Sequence, residues 1–233
     1  MSLTLFQVKS KSGAHLTGLH PVILAATTAL IERCYTRGIP IIITQGLRTI
    51  EEQDVLYAQG RSKPGNIVTN AKGGTSYHNY GLAIDFALLM PDGSSVSWDL
   101  KRDGDGDKIA DWTEAVQEAK ALGFEWGGDF TSIKDAPHFQ MSFGLMIAQL
   151  RNGIKPSETA IAKALAKIDR YMKECGEVKA DKTKVVVDGK VLAEGGLLID
   201  GKTYVPLRAT GEALGATIGW NQETKTATLT SKA

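Results

Sequence analysis

Ser76-Tyr77-His78-Asn79-Tyr80-Gly81-Leu82-Ala83-Ile84-Asp85 is the stretch whose reading decides the fold. Were it one helix, His78 and Asp85 would lie on one stripe but two turns apart, roughly 10 Å along the axis. Were it one flat strand, their odd separation would send them to opposite faces. Neither regular element lets the imidazole and the carboxylate meet. A chain that bends at Asn79-Tyr80-Gly81 and runs on as an apolar strand from Leu82 to Phe86 does, since Asn and Gly accept the φ values of a turn.

A third partner has to come from elsewhere, and Asp135-Ala136-Pro137-His138-Phe139-Gln140 offers it. Pro137 disfavours a helical Ala136, so this stretch reads as a loop entering a short strand on which His138 and Gln140 share a face. Two imidazoles and one carboxylate, with a fourth position open to water, make a catalytic rather than a structural zinc arrangement. Asp135, not needed as a ligand, is placed to take a proton from that water. Taken singly, each His reads as an ordinary polar residue at the edge of a core; the combination points to a metal.

Taken in order, Ser76-x-His78-x-x-Gly81-x-Ala83-x-Asp85 followed by Asp135-x-Pro137-His138 resembles the signature of the LAS metallopeptidases, the family of D-Ala-D-Ala peptidases and hedgehog-like domains. More narrowly it resembles the phage and Bacillus L-alanyl-D-glutamate endopeptidases that cut peptidoglycan stem peptides. The resemblance covers roughly residues 20 to 150. It implies an α+β fold, a hedgehog/D-Ala-D-Ala-peptidase-like antiparallel sheet with flanking helices. It also implies zinc on His78, Asp85 and His138, with Asp135 as general base.

The same resemblance implies that Arg48 reaches the active site, where its planar fork could hold a substrate carboxylate or polarise the scissile carbonyl. The alternative for Arg48 is a surface ion pair with Glu51 or Glu52. Ser76 and Trp126 are implied to lie beside bound substrate; otherwise Ser76 is a turn cap and Trp126 a lid on the core. Three functions share this zinc site: an endopeptidase acting on stem peptides at the L-Ala-D-Glu bond, as in an endolysin or autolysin; a D-Ala-D-Ala carboxypeptidase or dipeptidase; and a zinc-containing, non-catalytic wall-binding module.

Composition restricts the partners. Across 233 residues the formal net charge is +1, which does not advertise nucleic acid. Cys34 and Cys175 lack CxxC spacing and read as small apolar residues suited to a reducing compartment. No apolar run approaches a membrane span, and Met1 to Lys11 carries no export signal. The expectation is a protein made in the cytoplasm that does not insert into membranes. If it is phage-encoded, the resemblance implies release to the peptidoglycan through a holin-type pore. Oligomeric state is not legible.

Along the chain, Pro21 opens a packing helix closed by Gly38, with Val22, Leu24 or Ala25, Ala29 and Tyr35 as its apolar stripe. Ile39 to Thr44 reads as a buried strand, and Ile50 to Gln59 as a helix capped by Thr49. The Gly- and Ser-rich loop from Arg61 to Gly74 could wall a groove. Trp112 to Leu122 reads as a helix ending at Gly123, with Glu114, Glu118 and Lys120 on its wet side. Asp129 is a candidate second partner for a metal-bound imidazole.

Running into that helix, Asp103, Asp105, Asp107, Asp111 and Glu114 fall at positions one, three, five, nine and twelve of a calcium-loop pattern. Position six, where such a loop wants Gly, is Lys108, so an acidic turn without tight calcium is the expectation here.

A helical run after Met141 and a second amphipathic helix, Ser157 to Lys173, lead to a change of composition near Asp181. The reading divides the chain into a peptidase domain over 1–153, a helical linker over 154–180 and a β-rich accessory domain over 181–233. The last shows Asp188-Gly189 and Asp200-Gly201 hairpin turns, a short helix to Leu214 and a closing hairpin from Thr217 to Thr230. It resembles the copper-amine-oxidase N-terminal-like module. Lys184 to Thr230 contains no His and no Cys, so copper is not expected and wall attachment, or mere stabilisation or oligomerisation, is.

Overall fold

Capping chemistry places the first helices. In the computed structural model, which describes every residue except 1–2, 132, 177–180, 200–201, 223, 225 and 232–233, α1 spans Leu5–Leu16 behind a reciprocal Thr4–Gln7 capping box. Its few apolar residues make only a weak stripe, so periodicity does not reveal this helix. α2 (Pro21–Thr36) starts on its proline, with the His20 side chain accepting from the Val22 N–H at 3.3 Å. Its buried face runs through Val22, Ile23, Ala26, Leu30, Ile31 and Cys34, whereas Leu24 points outward.

β1 (Ile41–Gln45) follows, then α3 (Ile50–Ala58), held at its start by a Thr49–Glu52 capping box. Losing such a cap typically costs about 1 kcal/mol. A 3₁₀ turn over Tyr77–Tyr80 leads into β2 (Ala83–Leu89), and β3 (Val96–Ser97) folds back on it. α4 (Asp111–Leu122) ends at Gly123, whose φ of 109° suits a residue without Cβ. β4 (Glu125–Trp126) and β5 (His138–Gln140) complete the sheet, followed by α5 (Ile147–Arg151) and α6 (Glu158–Gly176).

The sheet is antiparallel, in the order β1-β2-β5-β4, with β3 also paired to β2. β2 is central and almost wholly buried, as its apolar run requires. Ile84 and Phe86 face the core, where Phe86 stacks on Phe139 at 4.8 Å and meets Trp112 at 4.4 Å. α2 and α4 pack on each other through charge as well as apolar contact. Glu114 and Glu118, expected on the wet side, are 1% and 2% exposed, because Arg33 and Arg37 of α2 reach across to them. The periodicity of α4 could not reveal partners supplied by another helix.

The chain divides into two compact units, Met1–Lys173 and Glu174–Ala233. Ile168 of α6 is buried in the first unit's core, and Ile161 and Leu165 pack beside it. In the second unit β6 (Asp181–Thr183), β9 (Gly196–Ile199) and β10 (Lys202–Tyr204) form one antiparallel sheet, while β7 (Val186–Val187) pairs with β8 (Lys190–Val191). Asp188 and Gly189 both have positive φ, as the expected Asp-Gly turn requires. α7 (Leu207–Ala213) and the hairpin of β11 (Thr217–Asn221) and β12 (Thr226–Thr230) follow. The Asp200-Gly201 turn lies outside the described residues. No described helix is long and apolar enough to cross a membrane.

Candidate metal centre and active-site cleft

His78 owes its position to the turn that carries it. Ser76 caps that turn, its Oγ accepting from the His78 N–H at 3.4 Å, and Asn79 closes the box. Gly81 ends it in the left-handed region at φ 65°, and a Cβ there would lie 2.7 Å from the Gly18 carbonyl oxygen. The chain therefore bends where expected and enters β2. Asp85 then sits directly opposite His138 in the β2–β5 register, which brings neighbouring-strand side chains together on one face. On the other edge the register slips between Ile43 and Gln45, a bulge beside the site.

The three side chains meet. His78 Nε2 lies 3.1 Å from His138 Nδ1 and 3.2 Å from Asp85 Oδ1, and His138 Nδ1 lies 3.3 Å from the same oxygen. Tetrahedral coordination with bonds of 2.0–2.1 Å would separate its donors by about 3.3 Å. The outer ring nitrogens fix the tautomers. His78 Nδ1–H donates to the Gly46 carbonyl at 2.8 Å. His138 Nε2–H donates to Gln140 Oε1 at 2.9 Å, and Gln140 Nε2 in turn donates to Glu125 at 2.9 Å. Both inward nitrogens are thus lone-pair donors facing a carboxylate oxygen, an arrangement that repels itself unless a cation lies between them.

The centre opens into a cleft of roughly 740 Å³, also lined by Arg48, Ser76, Trp98, Phe130 and Asp135. That volume suits a peptide-sized ligand. Arg48 does not pair with Glu51 or Glu52. Its guanidinium donates to Gln53 at 2.8 Å and approaches Asp85 Oδ2 at 3.5 Å, while its buried Nε has no hydrogen-bond partner. Asp135 faces the open cleft. Its carboxyl is raised above the ordinary value, first by enclosure in the cleft walls and second by the Asp85 charge. The expected groove wall is present: Ile67 and Val68 line the cleft, and Arg61 ties their loop to α3 through Thr69, Asn70 and the Tyr57 ring.

Two expectations change. Trp126 is not among the cleft-lining residues; its indole donates to the Ala136 carbonyl at 2.7 Å and packs on the core, bracing the loop that presents Asp135. Besides the two imidazoles, the cleft's aromatics are Tyr77, Trp98 and Phe130. Asp129 pairs with Lys120 at 2.6 Å and leaves the imidazole to Gln140. Gln140 was legible only as a polar residue two positions after His138 on the same strand face. The Gly46 carbonyl carries no side-chain signal at all.

Residues 69–141 match a family model described as D-alanyl-D-alanine carboxypeptidase, of the M15 peptidases. Over 123 residues the chain is 54% identical to the peptidoglycan L-alanyl-D-glutamate endopeptidase CwlK of Bacillus subtilis strain 168, covering 53% of this chain and 73% of that protein. The chain belongs to the M15 peptidase family. An L-alanyl-D-glutamate peptidase of Listeria phage A118 is 33% identical over 171 residues, 70% of this chain and 54% of the phage protein. Among solved structures, the Serratia marcescens L-Ala D-Glu endopeptidase ChiX is 24% identical, with a TM-score of 0.42 over 57% of this chain and 88% of that one. The D,D-dipeptidase VanXYg gives a TM-score of 0.38 at 16% identity, covering 86% and 76%. Residues 178–233 match the copper amine oxidase N-terminal domain model.

Proposed function

We propose that this M15 peptidase is a zinc-dependent endopeptidase that cleaves peptidoglycan stem peptides at the L-Ala-D-Glu bond. The observation that carries the reading is the convergence of His78, Asp85 and His138 at 3.1–3.3 Å, all as lone-pair donors, in a cleft that also holds Asp135 and Arg48. Two imidazoles and one carboxylate are the donor set of a catalytic zinc with room for a further ligand. Zinc held there supplies a Lewis acid that activates water and polarises a carbonyl at neutral pH.

The rest is the work of the chain's own residues. Asp135, a base with a raised pKa and an open path to the cleft, takes the proton from the attacking water and returns it to the leaving amine. Arg48, anchored by Gln53, presents its guanidinium to the negative charge that develops on the carbonyl oxygen, or to a substrate carboxylate. Ser76 shapes the turn beneath the substrate, and the apolar side chains of Ile67, Val68 and Trp98 exclude water from the bound peptide. The second unit holds the enzyme to the wall.

Digestion of purified peptidoglycan followed by mass spectrometry tests the bond. Newly exposed L-Ala carboxyl and D-Glu amino ends are expected. Loss of terminal D-Ala alone would instead support the carboxypeptidase reading that the family description carries. Zinc-loaded protein that releases neither product would leave only a wall-binding role.

A further inference from the structure

The acidic loop before α4 makes its sharp turn without a glycine at the sixth position. Lys108, at the position where a calcium loop needs a sharp turn, adopts φ 74°, the left-handed conformation that Gly would take. The missing glycine therefore does not prevent the loop from closing. Ligand oxygens of Asp103, Asp105 and Asp107 lie within 4.8 Å of one another, and so do those of Asp105, Asp111 and Glu114. Asp105 belongs to both groups, which links the five carboxylates into one cluster.

An independent observation comes from Glu114, which sits behind the loop rather than on it. The residue is 1% exposed, Arg37 engages only its Oε1, and Oε2 is buried without a hydrogen-bond partner. A buried carboxylate oxygen left unmatched is costly unless a cation meets it. Asp111 is also buried, with Oδ1 accepting from the Gly104 N–H at 2.7 Å and Oδ2 3.4 Å from Arg102 Nε. Of these carboxylates Glu114 pairs with Arg37, which Glu118 shares, and Asp111 pairs with Arg102, so negative charge remains in excess. Burial first and the neighbouring aspartates second raise the carboxyl of Asp111; for Glu114, burial leads, and the nearby aspartates add to it against the lowering effect of Arg37.

We propose that Asp103, Asp105, Asp107, Asp111 and Glu114 form a calcium site, distinct from the His78–Asp85–His138 centre, that fastens the loop to the start of α4. The donors are all hard oxygens at calcium-loop spacing, with the main-chain carbonyl of Ile109 at position seven, a set that selects calcium over zinc. Trp112, next to Asp111, packs on Phe86, the neighbour of Asp85, and Trp98, lining the cleft, lies 6.4 Å from Trp112. Calcium at the loop therefore steadies the segment that carries one wall of the cleft.

The test uses the full chain, freed of metal and reloaded with one equivalent of zinc. Calorimetric titration with calcium chloride and terbium luminescence sensitised by the nearby tryptophans are the readouts. One calcium per chain is expected, displacing terbium where magnesium at the same concentration does not, together with a higher midpoint of thermal unfolding. Asp105→Asn, an exposed change that spares the Arg37 pair, should weaken binding at least about tenfold with zinc content unchanged. Lys108→Gly, which removes a positive charge and the left-handed cost, should bind several-fold more tightly. No binding at about 10 mM calcium in either the parent or Lys108→Gly would overturn the proposal. So would binding that Asp105→Asn leaves intact.

Discussion

Gln140 shows how much a single side chain can govern from one remove. Its Oε1 holds the His138 ring while its amide leans on Glu125, so this relay keeps the proton of the neutral ring on Nε2 and turns the Nδ1 lone pair inward. Gln140→Leu keeps the volume and removes the acceptor; metal affinity is expected to fall about 10–100-fold, read by competition with a chromophoric chelator. Asp135→Ala addresses the opposite side of the reaction. Turnover is expected to drop by about 10²–10⁴-fold while bound zinc, measured by elemental analysis, is unchanged. Full activity in that variant would remove Asp135 from the proton-transfer role. At this scale the sequence disclosed which side chains converge, because His and Asp announce their chemistry. It did not disclose Gln140 or the Gly46 carbonyl as orienting groups, since an amide or a main-chain oxygen looks alike in every context.

The elements explain why three residues distant in the chain meet at all. His78 rides on a turn, Asp85 and His138 on adjacent strands in register, and this much follows from the bend at Gly81 and the proline before His138. What periodicity could not tell is which helix faces which. Glu118 looks like a solvated residue of α4, yet it accepts from Arg33 Nε at 3.0 Å, Arg37 Nη1 at 3.2 Å and the Tyr171 hydroxyl at 2.9 Å. Burial by itself raises its carboxyl, but these partners win and hold it below the ordinary glutamate value. A depressed folded pKa means that this contribution to stability is fully present above the unfolded glutamate value and is lost as the pH falls through the folded one. Glu118→Gln is expected to cost about 2 kcal/mol near neutral pH, discounted for the partial exposure of both arginines. The cost should shrink in acid, so denaturant curves of parent and variant should converge at low pH; parallel curves would contradict the assignment.

For the whole molecule, the division into two units lets cutting be tested apart from the proposed attachment. A chain ending at Lys173 is expected to cleave soluble stem fragments at the parent rate and to lose activity several-fold on intact walls, followed by turbidity and by product release. Equal activity on both substrates would leave the second unit without an anchoring role. The composition shift near Asp181 hints at a second module, but the compact units part at Glu174, and the packing of α6 on the first unit's core depends on surfaces that exist only after folding. One further dependence runs across the first unit, from a part that touches no ligand. α1 supports β1 through Ser12, whose buried hydroxyl accepts from the Ile43 N–H at 3.0 Å, and an added Cβ on Gly46 would meet the His15 carbonyl oxygen at 1.9 Å. The oxygen that steers the His78 ring is therefore fixed by a helix at the far end of the chain. Gly46→Ala should turn that imidazole away and release zinc from a protein whose three ligands are all still present, detectable as lost metal with little change in circular dichroism. Metal affinity in this enzyme is in that sense a property of its amino-terminal scaffold.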